Sequence, residues 1–237
     1  MEKDQKVLIS LITITFIVAV VIGVYFLIIK KDTSPDAVKF KKEYESYNNK
    51  TIENNKDKYL KVDLDNENVY VYKTDEEIID IINNETGVVY FGFAECPYCR
   101  SMVKILNDVA KDNKIDKIYY VDIANIRDSY EIINKTIAKI TNGTSSYYKL
   151  LDILGDYLSD YIILDDDGQE YNTGVKRLYA PTVVVVKNGQ IIGFHEGTLE
   201  DATYNKKLTA EETKELKTIY NDLLKQLSNE KCNKKSC

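Results

Sequence analysis

Residues 88–94 read Val-Val-Tyr-Phe-Gly-Phe-Ala, with no charge and no polar alternation, and so predict a strand buried on both faces. Alternation at 59–64 and 69–72 predicts two earlier strands. Between these and the apolar run, Thr74-Asp75-Glu76-Glu77 has capping-box spacing ahead of Ile78, Ile79, Ile81 and Ile82, which predicts a helix stopping at Thr86-Gly87. Residues 37–48 read as a further helix and 48–58 as a polar loop. From residue 96 to about 111 the apolar positions Met102, Val103, Leu106, Val109 and Ala110 recur at helical spacing, and 117–123 reads as another buried strand.

The stretch from about 124 to 179 is the least regular. Its patterning predicts helices at 128–140 and 146–163, followed by a turn at Asp165-Asp166-Asp167-Gly168. Residues 183–187 and 190–196 flank Asn188-Gly189, the strongest short hairpin signal. Thr209-Ala210-Glu211-Glu212 is a second capping box, and Leu216, Ile219, Tyr220, Leu223, Leu224 and Leu227 continue as a closing helix. A βαβ crossover followed by a ββα unit gives an α/β class with a mixed central sheet flanked by helices.

Two ends of the chain stand apart. Residues 7–29 hold no charged side chain, and 23 residues at 1.5 Å each reach about 34 Å, enough for a hydrocarbon core of roughly 30 Å. The run is longer than a signal-peptide core and ends in Lys30-Lys31 without a small-residue cleavage site, so it reads as a single uncleaved anchor after a six-residue head, 1–6. Residues 30–58 then form a juxtamembrane linker and helix, 59–228 the main domain, and 229–237 a polar tail. A positive-inside count, with Lys30, Lys31, Lys39, Lys41 and Lys42 after the span, favours a cytoplasmic domain, whereas long domains translocate regardless of charge. The main domain carries Cys96 and Cys99, three positions apart, and an anchored pair of thiols fits the compartment where disulfides persist, so the extracytoplasmic side is expected. The net charge of -6 argues against a nucleic-acid partner.

The candidate chemistry lies at Cys96-Pro97-Tyr98-Cys99, directly after the buried strand. Two thiols three positions apart at a strand-to-helix junction form a dithiol–disulfide exchange site. A helix N-terminus carries unpaired N–H groups and about half a positive charge, which lowers the pKa of Cys96 below the free value of about 8.5. Pro97 suits the first helical position. Cys96 is then the attacking thiol and Cys99 the resolving one, with no cofactor beyond that pair. The partners would be cysteine-containing proteins or peptides and an electron donor or acceptor.

Phe93-Ala94-Glu95-Cys96-Pro97-Tyr98-Cys99, the segment from Ala180-Pro181-Thr182 to Asn188-Gly189-Gln190 and the spacing of the closing helix resemble the thioredoxin-fold superfamily over about 75–228. The 124–179 stretch is then a helical insertion before the proline strand. More narrowly, the chain resembles the membrane-anchored thioredoxin-like proteins of Gram-positive bacteria known as bacteriocin transport accessory proteins. The resemblance implies that Pro181 is cis and lies against the thiol pair, and that Ala180 offers backbone hydrogen bonds to substrate. Thr182 and Tyr98 complete the implied support.

Departures from the family pattern bear on the thiol pKa values. Tyr90 stands where the family has a buried Asp, and Glu95 stands where it has Trp. Glu95 opposes a Cys96 thiolate and Arg100 favours it, leaving the direction of electron flow open. The Pro-Tyr pair is typical of glutaredoxins, but Gly193-Phe194-His195 does not supply their glutathione site. Competing readings are half a zinc site completed by Cys232, Cys237 and His195, without ligand spacing, or a redox-silent fold. Asp165, Asp166 and Asp167 match a calcium loop only in charge and read as a solvated turn. Cys232 and Cys237 would allow a tail disulfide, free thiols or a shuttle to Cys96–Cys99. The alternative function is an exporter accessory protein that binds a partner through residues 147–179, its thiols structural or vestigial.

Overall fold

The structure is a computed structural model that describes residue 13 and residues 15–20, 34–53 and 56–228. The chain divides into two units after Ser34. Of the expected anchor, residue 13 and residues 15–20 are described and are helical, and the rest lies outside the described residues. Among the described residues no helix is long and apolar enough to cross a membrane. Cys232 and Cys237 also lie outside them.

The second unit is built on a mixed five-stranded sheet with β1 (Tyr70–Tyr72), β3 (Ile118–Asp122), β2 (Gly87–Gly92), β8 (Thr182–Lys187) and β9 (Gln190–Glu196) in that spatial order. The first three run parallel, and β8 and β9 pair antiparallel to their neighbours. In the register Val88 faces both Ile118 and Val185, so β2 is central and bonded on both edges. Its alternation divides the core. Val88 and Tyr90 point into one apolar cluster, together with Ile118, Tyr120, Val183 and Val185. Val89 and Phe91 point into the other, with Val121, Ile123, Val184 and Val186.

Helices cover both faces. The first cluster takes Phe40 and Tyr44 from α1 (Pro35–Glu45), Met102, Val103 and Leu106 from α3 (Pro97–Asp112), and Leu216, Tyr220 and Leu224 from α5 (Ala210–Ser228). The second takes Ile78, Ile81 and Ile82 from α2 (Asp75–Asn84), and Tyr147, Leu150 and Leu154 from α4 (Ser145–Leu154). Both capping boxes form as read. The Thr74 hydroxyl accepts from Glu77 N while Thr74 N donates to Glu77, and Thr209 and Glu212 repeat the exchange. The helix read at 37–48 exists as α1, and it belongs to the compact second unit together with the 59–228 domain: Phe40 stacks on Tyr70 at 3.9 Å between centroids.

Two sequence expectations fail. Residues 59–64 alternate as read, with Val62 and Leu64 buried, yet form no ladder. Their backbone N–H groups go to side chains instead: Leu60 N to Asn205, Val62 N to Asn48 and Leu64 N to Glu45. The 124–179 insertion is not mainly helical. It contains the hairpin β4 (Ser129–Ile133) with β5 (Thr136–Thr141), then α4, then the hairpin β6 (Ser159–Leu164) with β7 (Glu170–Arg177). The apolar residues at 128–140 fit either period, and the turn decides between them. Asn134 and Lys135 both adopt positive φ, 52° and 62°, the geometry that closes a two-residue hairpin. The predicted 146–163 helix stops at Leu154 because Gly155 turns to φ 44°, and the β-prone Tyr161-Ile162-Ile163 then pairs with β7.

The β8–β9 turn forms at Asn188-Gly189, where Gly189 (φ 71°) donates to Glu85 O at 3.0 Å beyond the end of α2. A Cβ there would lie 2.1 Å from Asn83 O, whereas one at Gly168 (φ 79°) would meet nothing. Gly189→Ala should therefore destabilise by about 2–3 kcal/mol and Gly168→Ala by about 1 kcal/mol in urea unfolding. A loss at Gly189 no greater than at Gly168 would show that the turn is free to lift off α2.

Candidate active site

Strand β2 ends at Gly92, and α3 begins at Pro97 with Cys96 as its N-cap. The cap is a sulfur: Cys99 N donates to Cys96 Sγ at 3.3 Å, where Ser, Thr or Asp would ordinarily present oxygen. The chain thus places Cys96 on the helix axis at its positive end and Cys99 one turn inside. Both are free thiols, Cys96 5 % exposed and Cys99 fully buried, so only the first offers an edge to an incoming molecule.

One proton is divided unequally between them. The Cys99 thiol donates to the Cys96 sulfur, and this bond, with further ones from the backbone of Cys99 and Tyr98 and the charge of Arg127, holds the Cys96 thiol below its ordinary value against the effect of burial. Burial, then its hydrogen bond to the Cys96 sulfur and that sulfur's negative charge, push the Cys99 thiol well up. Of the two, Cys96 is the sulfur that loses its proton first.

Eighty-odd residues later the chain returns to this point. The Ala180–Pro181 peptide is cis, as the resemblance implied, and Cys96 Sγ lies 3.4 Å from Ala180 O. Thr182 is buried, and its hydroxyl donates to Tyr179 O at 2.8 Å, fixing the loop ahead of β8. Gly197 N donates to Pro181 O at 2.7 Å and ties the same loop to the end of β9. Tyr98 is half-buried and packs edge-on against Tyr204 at 6.0 Å.

Tyr90 lies beneath the thiols. Its ring folds back along its own strand, so that a Cβ on Gly92 would stand 2.2 Å from the Tyr90 hydroxyl. The hydroxyl is a hydrogen-bond partner of Cys99 and sits 2.8 Å from the Tyr44 hydroxyl of α1. Burial raises both phenols well above their ordinary value, keeping them neutral. Tyr90 therefore acts as a donor that favours a Cys99 thiolate, and it does not take up the proton as a carboxylate would.

Glu95 and Arg100 turn away from the role in which they were expected. Glu95 accepts from the Tyr47 hydroxyl, whose pKa this bond pushes up to about 12. Arg100 is 3 % exposed, and its guanidinium donates to Leu60 O, Tyr44 O, Ala94 O and Asn48 Oδ1 at 2.7–2.9 Å. It fastens α1 and the 59–64 segment to the loop before Cys96. The cation that acts on Cys96 is Arg127, in the insertion, which sequence reasoning missed because no local motif marks it. His195 makes a 3.0 Å contact from Nε2 to Thr198 O and packs edge-on against Tyr220. Asp165 closes its own turn by accepting from Asp167 N and Gln169 N. Among the described residues no group of three or more His, Cys, Asp or Glu side chains could hold a metal ion. No protein-family model matches the chain, and no curated protein matches its sequence.

A lowered Cys96 pKa means that thiolate survives to lower pH. Iodoacetamide should label Cys96 before Cys99, with a half-rate pH below about 8.5, and Cys99→Ala should move that midpoint upward by removing the strongest donor. An unmoved midpoint would show that the Cys99 proton does not govern Cys96. Tyr90→Phe leaves the Tyr44 hydroxyl buried without its partner and should cost about 1–3 kcal/mol in urea unfolding. A cost near zero would show that the hydroxyl pair is not a stabilising contact.

Proposed function

We propose that this chain is a thiol–disulfide oxidoreductase of the thioredoxin-like class, acting on cysteines of proteins or peptides through Cys96 and Cys99. The observation that carries the reading is the meeting of a capped, electron-rich Cys96 sulfur with the carbonyl of Ala180 beside a cis proline, 3.4 Å across a gap of 84 residues. A strand-end dithiol alone would not require a second loop so placed. The mixed sheet with helices on both faces is consistent with the thioredoxin fold that the motifs resemble.

In the reducing direction the Cys96 thiolate attacks one sulfur of a substrate disulfide, forming a Cys96–substrate mixed disulfide and expelling the other sulfur as a thiolate. Cys99 gives up its proton, with Tyr90 donating to the developing charge, and attacks the Cys96 sulfur. The Cys96–Cys99 disulfide forms and the second substrate sulfur leaves, taking up the proton. Two electrons pass from the protein to the substrate. The reverse sequence oxidises a substrate dithiol, and a protein or small-molecule thiol partner resets the pair. No cofactor is needed beyond the cysteines. On this reading residues 7–29 tether the domain to the membrane on the extracytoplasmic side, where substrate disulfides persist.

A second reading, an accessory protein that binds a partner, is favoured by the apolar residues exposed on the two hairpins, among them Ile133, Ile140, Leu164 and Val175. The two separate in one experiment. Wild-type chain should accelerate insulin reduction, Cys96→Ser should abolish the acceleration, and Cys99→Ser should accumulate a mixed disulfide visible on a non-reducing gel. Equal rates for wild type and Cys96→Ser would overturn the exchange reading and leave the binding one.

A further inference from the structure

The 126–128 segment is held from three sides. Thr144 N donates to Ile126 O at 2.9 Å, Arg177 of β7 bonds Asp128 at 3.1 Å, and Lys139 of β5 reaches the other Asp128 oxygen at 3.6 Å. Arg177 is itself fixed, 7 % exposed with its Cζ 4.1 Å from the centre of the Tyr161 ring of β6. Both hairpins of the insertion thus converge on one acidic residue and set the backbone on either side of it. Arg127 is what this frame presents. Its Cζ lies 5.0 Å from the centre of the Phe93 ring, three residues before Cys96.

The local charge does not balance. Asp128 serves Arg177 and Lys139, and among the described residues Arg127 has no hydrogen bond or ion pair. The Nε atoms of Arg127 and Arg177 are both buried without a partner. The Asp122 carboxylate feels the Arg127 charge but makes no hydrogen bond or ion pair with it, accepting instead from Ala124 N at 2.8 Å. A half-buried guanidinium with no anion bonded to it is costly, and a charge-assisted bond from its terminal nitrogens to a carboxylate is the usual remedy. Arg127 is half-buried, so the rest of the group remains open to an incoming chain.

We propose that Arg127, seated on Phe93 and braced by the Asp128–Arg177 pair, is a substrate-binding subsite for a carboxylate flanking the reacting cysteine, so that the protein acts preferentially on cysteines in acidic sequence. This rests on the exchange reading above and names its substrate class. Cys96 is the other group whose negative charge Arg127 favours, and burial and the Arg177 charge hold this guanidinium below its ordinary value. A substrate carboxylate and the thiolate are distinguishable, because the first depends on peptide sequence and the second does not.

The test uses the full reduced chain and three short peptides whose cysteine carries a thiopyridyl disulfide, flanked by Glu, Gln or Lys. Thiopyridone release should be about tenfold faster for the Glu peptide than for the Gln peptide and slowest for the Lys peptide, with the spread shrinking at high salt. Arg127→Gln should collapse the spread to within about twofold, and Arg127→Lys should keep most of it. Circular dichroism and urea unfolding report whether either variant is folded, and the ratio of rates between peptides, not the absolute rate, is the readout. Equal wild-type rates on all three peptides, or a spread that survives Arg127→Gln, would overturn the subsite. Uniform slowing of all three by Arg127→Gln with the spread intact would assign Arg127 to the thiolate alone and overturn it too. Release from none of them would instead remove the exchange reading, and the subsite with it.

Discussion

Burial of β2 on both faces is the constraint from which the rest of the site follows. A strand with Val88 and Tyr90 in one cluster and Val89 and Phe91 in the other cannot slip by a residue without exchanging its two faces. Its end is therefore fixed in space, and the first residue able to leave the sheet and start a helix is fixed with it. Cys96 occupies that point and caps α3 through sulfur. Part of the lowered Cys96 pKa is thus a consequence of helix-end geometry: the N–H groups that need a cap also bond its sulfur.

Beneath the pair lies a cluster of aromatic hydroxyls. Tyr44, Tyr90 and Tyr70 are fully buried, and the Tyr70 hydroxyl donates to Val103 O at 2.7 Å. Neutral hydroxyls cost less to bury than a carboxylate, and one of them, Tyr90, holds the Cys99 sulfur by donating to it. This arrangement depends on α1, because Tyr44 comes from there and its backbone is fastened by Arg100 of α3. The buried guanidinium is matched by four oxygens, the condition under which burying a cation is tolerable. Helix α1 is accordingly part of the site as well as of the core.

The insertion contributes from the opposite side. Two hairpins too short to be stable alone are tied to the domain through Asp128, Arg177 and the α4 start. Their effect at the site is to deliver a single cation, Arg127, to the ring of Phe93. The thiol pair thus lies between a neutral, hydroxyl-lined floor and a positively charged flank.

Much of this was legible in the chain. The central strand, the capping boxes at Thr74 and Thr209, the Asn188-Gly189 hairpin and the placing of Cys96 at a helix start follow from short-range rules, because each is decided by residues within one turn of one another. The position of Pro181 against the thiols came from resemblance, and no local rule supplies it. Tyr90 could be flagged as a departure, but its partnership with Tyr44 could not, since they lie 46 residues apart and meet only through packing. The 128–140 stretch reads as a helix although its apolar residues fit both periods, and backbone dihedrals at Asn134 and Lys135 break the tie toward a hairpin. Arg100 and Arg127 show the division most plainly. A charge five residues or fewer from a cysteine was expected to act on it, yet Arg100 is turned to carbonyl oxygens while Arg127, more than twenty residues away, reaches the sulfur's field. Sequence by itself determined where the thiols sit on their helix. Which charges surround them was decided by the tertiary structure alone, because electrostatic influence follows distance through the folded molecule and not separation along the chain.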